Sequence, residues 1–119
     1  KATAELRALW AVGNEYLQIA APWTALKTDP GAAAIGVRTG LNLVVLFAIL
    51  AQPFIPDAAK AVLDAMDVPE KNRMWPLTSG HALLDALPRG LVFTPPDVLF
   101  KKIEDVDVAA WGERFGGGP

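Results

Sequence analysis

Hydrophobic positions recur at three- and four-residue steps over residues 3–20, the spacing of one face of an α-helix. The inward face of this first predicted helix comprises Leu6, Leu9, Trp10, Gly13, Leu17 and Ala20. Pro22 lacks an amide hydrogen and its ring crowds the carbonyl of Gln18, so the helix must bend or end there. The proline is also expected to push Ala21 into an extended conformation. Trp23 therefore follows directly after a break in the helix.

A second predicted helix begins at Asp29-Pro30, because aspartate caps helix starts and proline costs nothing at the first helical position. It continues through AAAIGVRTGLNLVVLFAILA to a stop at Pro53. Its second half is apolar on nearly all sides, which predicts a central helix buried among others. The unbroken apolar run Leu43 to Ala51 is shorter than the roughly 20 residues of a membrane span. We interpret it as a core segment and expect no membrane partner.

Pro56-Asp57 opens a third predicted helix, in which Lys60 and Asp64 face water. Its apolar stripe comprises Ala58, Ala61, Val62, Ala65 and Met66. The short connection to the second helix predicts that the two pack antiparallel.

Beyond Pro69 the helical pattern weakens, and prolines and glycines interrupt the chain up to Pro96. We interpret this part as an irregular strap docked on the helices. A short terminal helix is predicted in EDVDVAAWGERF, which has acids in its first turn and an apolar face of Val106, Ala109 or Ala110, and Trp111. Residues 116–119, GGGP, are expected to form a flexible tail.

Composition indicates one folded domain. Hydrophobic residues make up 52% of the 119 residues and charged residues 20%, which excludes an intrinsically disordered chain. The absence of cysteine excludes disulfide frameworks, thiolate nucleophiles and cysteine-based zinc sites. The sequence begins at Lys1 without a signal segment, which we interpret as a fragment of a cytoplasmic protein that starts further upstream.

Charge is distributed without a basic stripe. Residues 1–102 carry 10 Lys and Arg against 9 Asp and Glu, a net of +1, while residues 103–119 carry one Arg against four acids, a net of −3. A protein that held duplex DNA mainly by its phosphates would need basic residues clustered on one face. Bulk phosphate binding is therefore not expected.

The sequence shows no reaction centre. His81 is the only histidine, and it lies two residues from Ser79 in a loop with no orienting acid evident. A hydrolase that uses Ser79 and His81 ranks last among the hypotheses. The sequence also lacks a phosphate-binding loop, a dinucleotide fingerprint and a spaced His, Asp or Glu cluster. We expect no catalytic residue, no metal site and no cofactor in this chain.

The four tryptophans fall into two groups. Trp10, Trp75 and Trp111 lie among apolar neighbours and are interpreted as core residues. Trp23 differs, because a proline bend can turn its side chain outward while holding the backbone stiff. An exposed indole can stack on bases of single-stranded nucleic acid, a contact worth roughly 1 to 3 kcal/mol. From the residues alone, burial and exposure of Trp23 are equally open.

Three motifs in one order resemble the anticodon-binding domain of methionyl-tRNA synthetases. The first is N-E-Y-L-x-x-x-A-P-W-x-x-x-K, which spans Asn14 to Lys27. The second is a long apolar helix that ends in the turn Pro53-Phe54-Ile55-Pro56. The third is Gly80-His81 followed by Leu99-Phe100-Lys101-Lys102-Ile103-Glu104. The resemblance covers about residues 3 to 115, and the combination is specific although each motif alone is weak.

The resemblance implies an all-α helical bundle over residues 1–115, of the type that follows a class I catalytic domain. Trp23 would then stack on an anticodon base, the first cytosine of CAU, with Asn14 and Tyr16 near that surface. The implied partners are the anticodon loop of methionine tRNA and a catalytic domain in the same chain. The implied parent is a methionine–tRNA ligase, a cytoplasmic enzyme that uses ATP and Mg²⁺ in its catalytic domain.

The sequence also departs from the family. The HIGH-like and KMSKS-like signatures of the catalytic domain are absent, so this chain alone is not expected to activate methionine. The family's asparagine and arginine that read the anticodon from a preceding helix would lie upstream of Lys1. The stretch from Ala82 to Pro96 is longer and richer in proline than usual, and no role is assigned to it. No C-terminal oligonucleotide-binding fold follows, which favours a monomeric parent.

An alternative hypothesis is a helical protein-interaction module without RNA binding. The two hypotheses differ at Trp23. Exposure beside polar groups favours anticodon recognition, whereas packing of the indole against the second helix favours the interaction module.

Overall fold

The computed structural model describes residues 1–76 and 84–117. Within these ranges the chain forms helices and no β-strand, which confirms the all-α prediction. The helices are α1 (Ala2–Ala20), α2 (Pro22–Ala25), α3 (Pro30–Ala51), α4 (Pro56–Ala65) and α5 (Asp105–Phe115), with a 3₁₀ turn at Glu70–Asn72. Ser79 and His81, the residues of the hydrolase hypothesis, lie outside the described residues, as do the last two residues of the predicted tail.

α3 is the central helix, and α1, α2 and α4 all pack against it. It begins as predicted, because the Asp29 carboxylate accepts a hydrogen bond of 3.0 Å from the backbone N–H of Ala32. By length and composition alone α3 could cross a membrane. Its place among three other helices is instead that of a core helix, as the sequence indicated.

α1 runs antiparallel to α3 and approaches it closely at two glycines. A Cβ atom at Gly40 would lie 2.8 Å from Cδ2 of Leu17, and one at Gly13 would lie 2.5 Å from Cε2 of Phe47. Leu17 and Phe47 therefore occupy the space that larger residues would need. The predicted inward face of α1 is confirmed except at Leu9, which is exposed.

α4 packs antiparallel to α3, as predicted. Its first half meets the end of α3, where Ala59 clusters with Ala51, and its second half meets the middle of α3, where Leu63 clusters with Val45. The buried positions of α4 are Ala59 and Leu63, followed by Met66 just past its end. The predicted apolar stripe was wrong by about one position. Of its members only Met66 is buried, and the others are half-buried beside the face that contacts α3.

Ala21 is not extended, contrary to the prediction. It adopts the left-handed conformation with φ 37° and ψ 59°. Its N–H donates a 2.9 Å hydrogen bond to the carbonyl of Leu17, and its own carbonyl accepts from the N–H groups of Thr24 and Ala25. One residue thus closes α1 and opens α2, and these hydrogen bonds outweigh the preference of a residue before proline for extended backbone.

The interpretation of Trp75 and Trp111 as core residues was wrong, because both side chains are exposed. Trp75 follows the 3₁₀ turn at the surface. Trp111 lies on α5, which makes no extensive contact with the other described helices. Trp10, in contrast, is half-buried and packs beside the cluster of Leu6, Ala51 and Ala59.

Residues 85–104 form no helix or strand, which confirms an irregular strap over this described part. The strap is docked on the core: Leu87 is buried, and Leu91 and Phe93 pack against the same cluster. α5 begins with a reciprocal capping box, in which the Glu104 N–H donates to the carboxylate of Asp107 at 3.1 Å. The terminal helix was therefore predicted correctly, but its apolar residues face solvent.

Candidate nucleic-acid interface

Trp23 lies on a short, stiff element. Pro22, at the first position of α2, is buried against α3. Its Cβ lies 3.5 Å from the position that a Cβ of residue 36 would take, an ordinary packing distance. The left-handed Ala21 and the proline fix the backbone on the N-terminal side of Trp23. The indole itself is 56% exposed. A rigid backbone thus presents a largely exposed aromatic plane.

The indole forms part of one wall of an open groove with a volume of about 700 Å³. Small-molecule sites range from about 300 to 1,000 Å³. α2 contributes Trp23 and Leu26 to the groove, α3 contributes residues between Pro30 and Asn42, and the strap contributes residues 87–91 and Phe93. Most of these side chains are apolar, so the groove offers flat apolar surface beside the indole.

Among the described residues, three polar side chains line the groove: Arg38, Asn42 and Arg89. Arg38 forms an ion pair with Asp85 of the strap. Asn42 is fully buried; its amide donates to the carbonyl of Arg38 at 2.9 Å, and its carbonyl oxygen accepts from the N–H of Leu87 at 3.0 Å. Asn42 therefore fastens the strap to α3 and holds the groove's shape.

Asn14 and Tyr16 do not line this groove. Both lie on α1, where Asn14 is exposed and Tyr16 is half-buried. Ala20, the last residue of α1, is six positions from Asn14, about 9 Å along a helix axis. Lys27, the final residue of the motif, is exposed after α2. The structure thus places Trp23 in the groove and the other two candidate residues on the neighbouring helix.

A second, smaller cavity of about 230 Å³ is apolar. It is bounded by Trp10, by residues of α3 and α4, and by Leu99 and Phe100 of the strap. The indole N–H of Trp10 is buried and has no hydrogen-bond partner in the described part of the chain. The described residues of this cavity offer packing surface, and none of them carries a group for acid–base or metal chemistry.

The strap's contribution to the groove was not predicted from the sequence. Arg89 lies in the turn Pro88-Arg89-Gly90, where Gly90 has φ 74°, and a Pro-x-Gly turn is visible in the sequence. The pairing of Asn42 with a backbone 45 residues away has no such local signal. The sequence indicates a polar contact there only through Asn42 itself, an amide at the start of the apolar half of α3.

Comparison with known proteins gives a consistent result. A family model described as the anticodon binding domain of methionyl tRNA ligase matches residues 1–119. The methionine–tRNA ligase of Maricaulis maris is 63% identical over 100% of this chain, and that of Hyphomonas neptunium is 57% identical over 99%. That of Dinoroseobacter shibae is 56% identical over 98%. No solved structure matches.

The chain covers 21%, 21% and 20% of the lengths of these three relatives. It therefore spans about a fifth of the length of the relatives that it matches. The helical architecture, the proline-started turn that exposes Trp23 and the match over the full chain agree. This chain belongs to the family of anticodon-binding domains of methionyl-tRNA ligases.

Proposed function

We propose that this chain is the part of a methionine–tRNA ligase that recognises the CAU anticodon of methionine tRNA, with Trp23 stacking on the first cytosine. The observation that carries the proposal is the exposure of Trp23, 56%, on a proline-fixed turn beside a groove with polar side chains. This is the arrangement that separates anticodon recognition from a helical interaction module. It supports the former.

Stacking fits the electrostatics of the domain. The net charge is −2, which disfavours a binding mode based on phosphate neutralisation alone. Bases of single-stranded loops are recognised instead by stacking on aromatic rings and by hydrogen bonds to their edges. The Trp23 indole offers the first kind of contact, and the exposed Arg89 side chain lines the same groove.

Asn14 and Tyr16 are proposed to support the same surface from α1. Asn14 is exposed, so its amide is accessible to a base edge or a ribose. Tyr16 is half-buried, which suits a side chain that packs on one side and presents its hydroxyl on the other. Because neither lines the Trp23 groove, we assign them to flanking contacts rather than to the stacked base.

The proposed parent is a monomeric, cytoplasmic class I ligase that attaches methionine to its tRNA. ATP and Mg²⁺ would be bound by its catalytic domain in the same chain. Among residues 1–76 and 84–117 there is no group of three or more His, Cys, Asp or Glu that could hold a metal ion. We propose residues 1–115 as the anticodon-binding domain and residues 116–119 as its tail.

The test compares two activities of the full-length ligase, with and without Trp23→Ala. Aminoacylation requires the tRNA, whereas methionine-dependent ATP–pyrophosphate exchange does not. A matched control is Trp75→Ala, because Trp75 is 58% exposed and does not line the groove. We expect Trp23→Ala to lower aminoacylation by an order of magnitude or more with exchange intact, as loss of a stacked base predicts.

Unchanged aminoacylation in Trp23→Ala would refute the assignment of the anticodon contact. Loss of both activities would place Trp23 in the packing of the fold instead. An equal loss of aminoacylation in Trp75→Ala would show that an exposed tryptophan outside the groove has the same effect. That result would contradict a specific role for the groove.

A further inference from the structure

The strap segment 87–93 holds one arginine in a fixed position at the groove. Leu87 is buried and tied to Asn42, Leu91 and Phe93 pack on the core, and Arg89 lies between these anchors. Its backbone is therefore fixed by its neighbours, while its side chain is exposed. Anchors on both sides of a turn place a side chain more reproducibly than a free loop does.

Arg89 has no ion-pair partner among the described residues, unlike Arg38, the other arginine that lines the groove. Arg38 is neutralised by Asp85. Arg89 forms no ion pair with any residue in ranges 1–76 and 84–117, and none of the described residues lining the groove is acidic. In its described part, the groove thus combines apolar side chains, an indole and the Arg89 guanidinium without an ion-pair partner.

Such a combination matches one class of ligand. Single-stranded nucleic acid carries flat bases, which favour aromatic and apolar surfaces, and phosphates, which favour cations. A guanidinium binds phosphate oxygens with two parallel hydrogen bonds, a geometry that an ammonium cannot reproduce. Because Trp23 and Arg89 line the same groove, one strand can contact both.

We propose that the groove takes the nucleotide adjoining the one stacked on Trp23, and that Arg89 binds its phosphate. The inference rests on the proposed function and adds a phosphate-binding residue from the strap. It gives the segment from Ala82 to Pro96 a role through its described residues. Arg89 raises the affinity for the anticodon loop through this phosphate contact, and other residues recognise the identity of the base.

The experiment measures the dissociation constant of the full-length ligase for methionine tRNA over a series of salt concentrations. The variants are Arg89→Gln, Arg89→Lys and Trp23→Ala. The charge control is Lys71→Gln, because Lys71 lies far from the groove. It belongs to the 3₁₀ turn that precedes Arg73, and the carbonyl of Arg73 accepts a hydrogen bond from Gln52 at the far end of α3. Gln52 is fourteen residues from Arg38, about 20 Å along the helix.

We expect Arg89→Gln to weaken binding about tenfold at low salt. The slope of the logarithm of affinity against the logarithm of salt should fall in magnitude by about 0.7, the value for one phosphate contact on a single strand. Arg89→Lys should keep the slope and lose part of the affinity. Trp23→Ala should lose affinity with the slope unchanged, and Lys71→Gln should change neither. Thermal unfolding of the variants at Arg89, Trp23 and Lys71 should match that of wild type, because all three side chains are exposed.

Two results would overturn the inference. If Arg89→Gln leaves both affinity and slope unchanged while Trp23→Ala weakens binding, the anticodon assignment stands and Arg89 has no part in it. If Arg89→Gln and Lys71→Gln lower the slope equally, the effect is long-range attraction and not a contact. Failure of the proposed function is a different pattern, in which Trp23→Ala also leaves tRNA binding unchanged.

Discussion

The side-chain oxygen of Asn42 accepts a hydrogen bond of 3.0 Å from the backbone N–H of Leu87, 45 residues further along the chain. Both residues are buried. This contact joins the irregular strap to the central helix and so defines the groove beside Trp23. Because a buried donor without a partner is costly, the bond makes Asn42 a structural requirement of the site.

Asn42→Ala should lower the free energy of unfolding by about 1 to 3 kcal/mol, the cost of leaving the buried N–H of Leu87 unpaired. Urea unfolding of the full-length ligase, followed by a probe in this domain, measures it. Asn72→Ala is the control, because Asn72 is exposed in the 3₁₀ turn and should change little. A loss no larger than that of the control would show that the strap does not depend on this bond.

The close approach of α1 and α3 gives a second prediction. Gly40→Val should destabilise the domain by about 1 to 3 kcal/mol, because its side chain overlaps that of Leu17. Combining it with Leu17→Ala should recover part of that loss, with a coupling of about 0.5 to 3 kcal/mol in the double-mutant cycle. Gly112→Ala on α5, where nothing lies within 4 Å of the added Cβ, should not be destabilising. Additive effects at positions 17 and 40 would contradict the packing.

Because Ala21 is left-handed, a glycine at this position is not expected to destabilise the domain, unlike a glycine within a helix. The left-handed conformation costs a residue with a Cβ about 1 to 2 kcal/mol, so Ala21→Gly should be neutral or stabilising. Ala20→Gly, one residue earlier and within α1, should instead cost about 0.5 to 1 kcal/mol. Thermal unfolding of the two variants measures this difference in stability. Equal destabilisation would mean that Ala21 does not adopt this conformation.

Asp64 gives a prediction about pH. The Lys60 ammonium donates to its carboxylate at 2.5 Å and the Arg73 guanidinium lies 2.8 Å from it, and these hydrogen bonds lower the pKa of Asp64 below its ordinary value. The stabilisation is therefore present above the unfolded pKa of about 3.9 and is lost as pH falls through the lower folded pKa.

Asp64→Asn should lower the urea midpoint at pH 7, and the difference from wild type should shrink as the pH falls below about 4. Asp97→Asn, at an exposed position in the strap, controls for the loss of one negative charge. A difference that stays constant down to pH 3 would show that the ion pairs do not stabilise the fold.

Local signals in the sequence predicted most of the fold. Asp29-Pro30 fixed the start of α3, and the acidic turn before Val106 fixed that of α5, because caps and prolines act on adjacent backbone groups. Burial was predicted less well. Trp75 and Trp111 have apolar neighbours in sequence, but their exposure depends on what packs against them in space, which no short window of sequence contains.

The candidate site shows the same division. A proline immediately before Trp23 predicted a break in the helix, and the structure contains that break between α1 and α2. The left-handed turn at Ala21 was missed, because the preference of a residue before proline gives way to hydrogen bonds with Leu17 and Thr24. Arg89 was missed because its place in the groove depends on a strap held by contacts distant in sequence.

We propose that Trp23 stacks on the first base of the CAU anticodon. The most direct measurement is the affinity of wild-type and Trp23→Ala full-length ligase for methionine tRNA with an intact anticodon and for the same tRNA lacking only that base. On the intact tRNA, Trp23→Ala should cost about 1 to 3 kcal/mol of binding free energy. On the tRNA without the base, the two enzymes should bind equally, because the stacking partner is gone. An equal loss on both tRNAs, or no loss on either, would contradict the claim.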